Sequence, residues 1–195
     1  MIYIHKNQLP NSLSQYTETQ VKSGLTVEYS GNWDKNEFRD IVVKEQSKLC
    51  CYCNSAITAE NSTIEHFLPE SVFKEEVASY FNLFLACNDG KRKDTPKREQ
   101  HCDASTEAKG DKIIPKYITH SDCELFFAYN HKGEILPFCQ FKDIESCIKN
   151  YGKLTDEERM VLATIEVLKL NVNSLTARRK NVYNVCISNI PYFFR

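Results

Sequence analysis

The chain has 195 residues, 42% of them hydrophobic, and a formal net charge of −1. This apolar content is enough to bury a core, which excludes an intrinsically disordered chain, and the near-neutral charge excludes a uniformly basic coat for nucleic acid. There is no run of about eighteen apolar residues, and the opening Met1-Ile2-Tyr3-Ile4-His5-Lys6 lacks both the long apolar stretch and the cleavage site of a secretory signal. A cytoplasmic protein with no membrane partner is therefore expected.

In chain order, a polar opening leads to Trp33–Leu49, where the periodicity predicts a helix. Asp34 is placed to cap it, Glu37 to reach back, and Phe38, Ile41 and Val42 share one face. From Cys50 to Lys109 the helical period is lost, and short apolar runs at Thr63–Phe67 and Asn82–Cys87 read as strands. Cys123–Tyr129, the turn Asn130-His131-Lys132-Gly133 and Glu134–Pro137 read as a hairpin. Thr155 and Glu158 form a capping-box pattern ahead of Val161, Ile165 and Leu168, and a last helix is expected from Ser174 with Leu175, Val182, Val185 and Cys186 inward. With no repeat and no low-complexity linker, residues 1–195 are expected to form one α+β domain. It comprises a helical N-terminal arm 1–49, a metal-organised core 50–115, and a hairpin with C-terminal helices 116–195.

The nine cysteines are an odd number, so they cannot all pair within the chain, and a reducing compartment keeps thiols free. Cys50-Cys51-Tyr52-Cys53 contains a Cys-x-x-Cys knuckle, a spacing that lets two thiolates hold one tetrahedral zinc from a single turn. Cys87 and Cys102 are the best candidates for the other two ligands, with His101 as an alternative to Cys102. Cys51 is read as an inward small residue, and Cys123, Cys139, Cys147 and Cys186 as free core cysteines. A redox reading would make Cys50 or Cys53 a reactive thiol, but no βαβ pattern surrounds the motif. Two basic clusters stand out: Lys91-Arg92-Lys93 with Lys97-Arg98, and Arg178-Arg179-Lys180, the second read as a solvated face.

Glu65-His66 lies within an apolar strand and is followed by Pro69. Successive strand residues face opposite sides, so one of the two can hold a metal while the other addresses water. The order of Cys50-x-x-Cys53, Glu65-His66, Asn82-Leu83, Cys87, His101-Cys102-Asp103 and Lys109-Gly110 resembles the HNH nuclease family. More narrowly, Phe38-Arg39, Glu45-Gln46, Leu49–Cys53, Ile64–Phe67, His101–Asp103 and Thr164–Asn171 are similar to the HNH component of Septu-type anti-phage systems and ATPase-associated retrons.

The resemblance implies a ββα-metal core with a zinc knuckle, flanked by helices and an extra hairpin. It implies His66 as general base for phosphodiester hydrolysis, Glu65 and Asp103 as ligands of Mg2+ or another divalent cation, and Asn82 as the residue that fixes the loop carrying the base. It further implies a structural Zn2+, a nucleic-acid substrate with DNA favoured over RNA, contacts from Lys91, Arg92, Lys93, Lys97, Arg98 and Lys109, and an ATPase subunit as partner. In the family the second cysteine pair is compact, whereas here Asn88–His101 separates Cys87 from Cys102. The competing reading is a zinc-knuckle module that binds nucleic acid or protein without cutting, which has no chemical need for Glu65, His66 and Asn82 together.

Overall fold

The computed structural model describes residues 1–88, 94–102 and 121–189, with backbone alone for 183–189. Among them the fold mixes helices with two small antiparallel sheets, each of two strands. Helix α1 (Asn11–Lys22) and helix α2 (Lys35–Glu45) precede strands β1 (Ser62–His66) and β2 (Leu83–Cys87). Strands β3 (Phe127–Tyr129) and β4 (Ile135–Pro137) follow, then α3 (Ile144–Lys149), α4 (Asp156–Val167) and α5 (Asn173–Asn189). No helix among the described residues is long and apolar enough to cross a membrane.

Helix α1 is not foreseen by the sequence patterns, because its mostly polar composition buries a single residue, Leu13. Helix α2 begins as expected at Asp34, whose carboxylate accepts from the amides of Asn36 and Glu37. Glu37 does not reach back to it. Its carboxylate instead takes the amides of Asn11 and Ser12, open donors at the start of α1, and so ties the two helices together. The helix stops at Glu45, short of Leu49, because Ser47 and Lys48 adopt left-handed φ values of 52° and 60°.

Strand β2 is buried at every position, and β1 covers one of its edges with Glu65 opposite Phe84 and His66 opposite Leu83. On the other edge the buried Gln46 side chain behaves like one residue of a third strand. Its Oε1 accepts from the Leu85 amide at 2.7 Å and its Nε2 donates to the Leu85 carbonyl at 2.8 Å. The side chains of Phe38, Val42, Phe67, Phe84 and Leu85 form the centre of the main core.

In the hairpin, Cys123–Phe126 coils into a 3-10 turn, so β3 is shorter than expected and starts only at Phe127. Gly133, at φ 80°, brings the hairpin turn onto α5: a Cβ there would stand 2.1 Å from the Thr176 carbonyl oxygen, so only glycine fits. Asn171 repeats the device seen at Gln46, its amide accepting from the Ile135 N–H and donating to the Ile135 carbonyl, both at 2.8 Å.

The capping box of α4 forms as expected, with Thr155 and Glu158 bonded reciprocally, and Val161, Ile165 and Leu168 are buried. On α5, Leu175 is buried, but Val182 is 62% exposed and not inward, and the side chains of Val185 and Cys186 lie outside the described residues. The Arg178-Arg179-Lys180 cluster is not simply a solvated face. Arg178 reaches the Ser55 hydroxyl at 3.3 Å, and Arg179 donates to the Leu170 carbonyl and to Asn171, which anchors α5 to the knuckle and to the end of α4.

Lys6 places a cation against three aromatic rings of the core. Its ammonium donates to the Leu83 carbonyl at 2.6 Å and stands over the rings of Tyr80, Phe84 and Phe38 at 4.3, 4.7 and 5.2 Å. Burial lowers its pKa from 10.5 to about 7, against the opposing pull of Glu45. Between those values the unfolded chain binds a proton that the folded chain releases, so this site makes stability rise with pH from about 7 towards 10. Urea midpoints at pH 7 and pH 9.5 should therefore differ less in Lys6→Met than in the parent chain, and equal differences would contradict the assignment.

Candidate metal centre and active site

Cys50, Cys53, Cys87 and Cys102 come together with all four sulfurs within 4.8 Å of one another. A tetrahedral zinc with Zn–S bonds of about 2.3 Å sets its sulfurs about 3.8 Å apart. The Cys53–Cys87 and Cys50–Cys102 pairs stand at 3.6 and 3.9 Å, so the donor set fits zinc in both chemistry and spacing.

Local backbone explains the convergence. The knuckle turns back at Asn54, at φ 58°, closed by hydrogen bonds from the Asn54 amide to the Cys50 carbonyl and from the Cys50 amide to the Ser55 carbonyl. Cys87 is the last residue of β2, and its amide donates to the Cys50 sulfur at 3.3 Å. Cys102 arrives from the far side of the Asn88–His101 insertion at φ 56°, with its amide on the Leu168 carbonyl just beyond α4.

His101 lies beside this cluster. Its Nε2 is 3.8 Å from the Cys87 sulfur, and its Nδ1 is held 2.8 Å from the Glu99 carbonyl, so the four-cysteine set is complete without it. Burial opposes ionisation of Cys50, but hydrogen bonds from Cys102, Cys51, Cys53 and Cys87 outweigh it and pull this thiol well below its ordinary range. Cys53 falls to about 6, led by its hydrogen bond to Cys102, while Cys87 and Cys102 are pushed up. Cys50 and Cys53 are thus drawn toward the thiolate form, the form that binds a cation. Cys51 is buried as expected, whereas Cys139 is only partly buried and faces the buried Cys147 across 3.7 Å.

Glu65 and His66 end β1 and address different surroundings, as strand alternation requires. Glu65 is buried, and its Oε1 accepts from the Tyr52 hydroxyl at 2.9 Å. Tyr52, buried between the knuckle cysteines, has its pKa raised well above its ordinary value by that burial and by the adjacent Glu65.

His66 is half-buried. Its Nε2 stands 2.9 Å from the Val77 carbonyl and its ring meets Tyr29 edge-on at 4.7 Å. A carbonyl can only accept, so Nε2 carries a hydrogen, and in the neutral ring the lone pair falls on Nδ1.

Asn82 is buried and closes the loop that follows His66. Its Oδ1 accepts from the Leu68 amide at 2.6 Å, and its Nδ2 donates to the carbonyls of Leu68 at 3.2 Å and Glu76 at 3.0 Å. The loop held in this way presents the Val77 carbonyl to His66. Sequence reasoning missed Tyr52 and Tyr29. The first had a signal, its place between two metal-ligand cysteines, while the second stands in a polar stretch without one.

Lys97 and Arg98 are exposed in a 3-10 turn, Lys97–Glu99. Lys91, Arg92, Lys93, Asp103 and Lys109 lie outside the described residues, as does the end of the expected core 50–115 beyond Cys102.

No family profile matches the chain. It is similar to the candidate HNH endonuclease of retron Vc95 from Vibrio cholerae serotype O1 biovar El Tor, at 26% identity over 187 residues that span 92% of this chain and 81% of the relative. The likeness supports the HNH family and, in general terms, a nuclease.

The expected result of metal analysis is one zinc per chain, lost in a Cys50→Ser, Cys53→Ser double variant. Chelation should lower the melting temperature of the parent protein, and full zinc occupancy in the double variant would exclude this ligand set.

Proposed function

We propose that residues 1–195 act as one cytoplasmic, metal-dependent HNH endonuclease that hydrolyses nucleic-acid phosphodiesters, DNA in preference to RNA. The observation that carries this reading is the chain of contacts from Asn82 through the 68–82 loop to the Val77 carbonyl and His66, which fixes both the ring and its tautomer.

In the proposed reaction His66 Nδ1 takes a proton from water as the water oxygen bonds to phosphorus, and the bond from phosphorus to the leaving oxygen breaks. The leaving oxygen takes a proton from solvent and His66 returns its own to solvent, so the products are a phosphate monoester and a hydroxyl. Glu65 and Asp103 would hold a divalent cation such as Mg2+, whose chemistry is to offset charge on the phosphate and leaving oxygens. Tyr52 keeps the Glu65 carboxylate oriented.

The zinc at Cys50, Cys53, Cys87 and Cys102 is structural in this reading. Lys91, Arg92, Lys93, Lys97, Arg98 and Lys109 contact the phosphate backbone. The likeness to a retron protein, together with the Septu-like pattern in the sequence, supports a role as the cutting subunit of an anti-phage system with an ATPase partner.

His66→Ala should abolish cleavage while keeping zinc, solubility and nucleic-acid binding, since a general base contributes about 10²–10⁴-fold in rate. The assay is a divalent-cation panel on plasmid DNA and total RNA, with and without the co-expressed ATPase. A folded, zinc-loaded His66→Ala chain that cuts at the parent rate would sink the mechanism.

Asn82→Ala should slow cleavage at saturating substrate with zinc content unchanged. Neutralising Lys97 and Arg98 should reduce the slope of log affinity against log salt by about one unit for each phosphate that is no longer neutralised. An unchanged slope would remove those two residues from the interface.

A further inference from the structure

Building on the nuclease reading, we infer that the cleft between the N-terminal segment and the 68–82 loop is a subsite for an unpaired base of the substrate. The cleft encloses about 490 Å³ and is lined by Tyr3 and His5 from one segment and by Glu76, Ser79, Phe81 and Asn82 from the other. Phe81 is 70% exposed, an apolar ring held out in water next to the tightly bonded Asn82, with Tyr80 edge-on to it at 5.3 Å. Tyr3 also shows a ring to solvent. It is steadied by a hydroxyl contact of 3.2 Å to His5 Nδ1, an edge-on ring contact with His5 at 5.9 Å, and a backbone bond to Glu124. Rings fixed in this way stack on a flat partner with little loss of side-chain freedom.

The charges of the cleft select which part of a nucleotide it suits. His5 and Lys6 stand against Glu76, and the Lys6 ammonium is turned inward onto the Leu83 carbonyl. A phosphate track needs a run of cations facing the groove, whereas this cleft turns its lysine away and includes a carboxylate in its lining. It suits the uncharged base, with ring faces for stacking and the Ser79 hydroxyl and Glu76 carboxylate for a polar edge. In a duplex, neighbouring bases cover both faces and the partner strand covers the edge, so the occupant is a base in a single strand, a loop or a frayed end. Asn82 lines this cleft and also ties the loop that aims His66, so a base seated here rests against the element that orients the proposed general base.

The test uses full-length, zinc-loaded protein carrying His66→Ala to prevent cutting, with fluorescent 15-nucleotide single strands of DNA and RNA and duplexes of the same sequence, followed by anisotropy. Phe81→Ala and Tyr3→Ala should each weaken single-strand binding by about 5- to 100-fold and leave duplex binding within twofold, while Phe81→Trp retains it. Melting temperature and zinc content should not change. Single-strand affinity unchanged in both alanine variants, or an equal loss on duplex, overturns the subsite and leaves the nuclease reading standing. A parent protein that binds no nucleic acid overturns both.

Discussion

Everything else in this structure depends on four sulfur atoms meeting from three distant stretches of chain. Cys50 and Cys53 come from the knuckle, Cys87 from the end of β2 and Cys102 from beyond a long insertion, and their side chains are mostly withdrawn from water. A two-stranded sheet is marginal by itself, and β1–β2 has only five residues per strand. Structural zinc in small domains is worth roughly 10–16 kcal/mol, comparable to the net stability of about 5–15 kcal/mol of a whole domain. A metal at this cluster would therefore decide whether the sheet holds its register.

That constraint passes directly to the acid–histidine pair. Tyr52 sits between the knuckle cysteines and holds Glu65, so the carboxylate is placed by the same turn that presents the sulfurs. The next residue, His66, takes its orientation from elsewhere: from Val77, through a loop closed by one asparagine side chain. Acid and imidazole are adjacent in sequence, yet each is positioned by a different device. Their roles can thus diverge without competing for the same partners.

The sequence makes the cysteine cluster and both core strands legible because metal-ligand spacing and short apolar runs are short-range patterns. Cys50, Cys53, Cys87 and Cys102 follow from spacing and position, and Asp34 and Thr155 follow from capping chemistry. What the sequence hides is long-range. Glu37 looks like the partner of Asp34, three residues away, but caps a different helix because the open amides of Asn11 and Ser12 come within its reach. Tyr29 lies in a polar loop, and only the folded chain brings it against His66. Helix α1 leaves almost no apolar stripe to read, since a single buried leucine secures it.

Gln46 and Asn171 carry a consequence for how the chain behaves among copies of itself. A two-stranded sheet has two open edges, and an open edge offers N–H and C=O groups to any passing strand. On β2 the outward groups of Leu85 are taken by the Gln46 amide, with the Cys51 amide adding a bond to the same carbonyl, and on β4 those of Ile135 are taken by Asn171. Each side chain satisfies one donor and one acceptor and then ends, where a full strand would continue the ladder and expose a new edge. The apolar Leu83–Cys87 strand, the segment best suited by composition to recruit another chain into an aggregate, is thereby blocked at its midpoint by a single carboxamide.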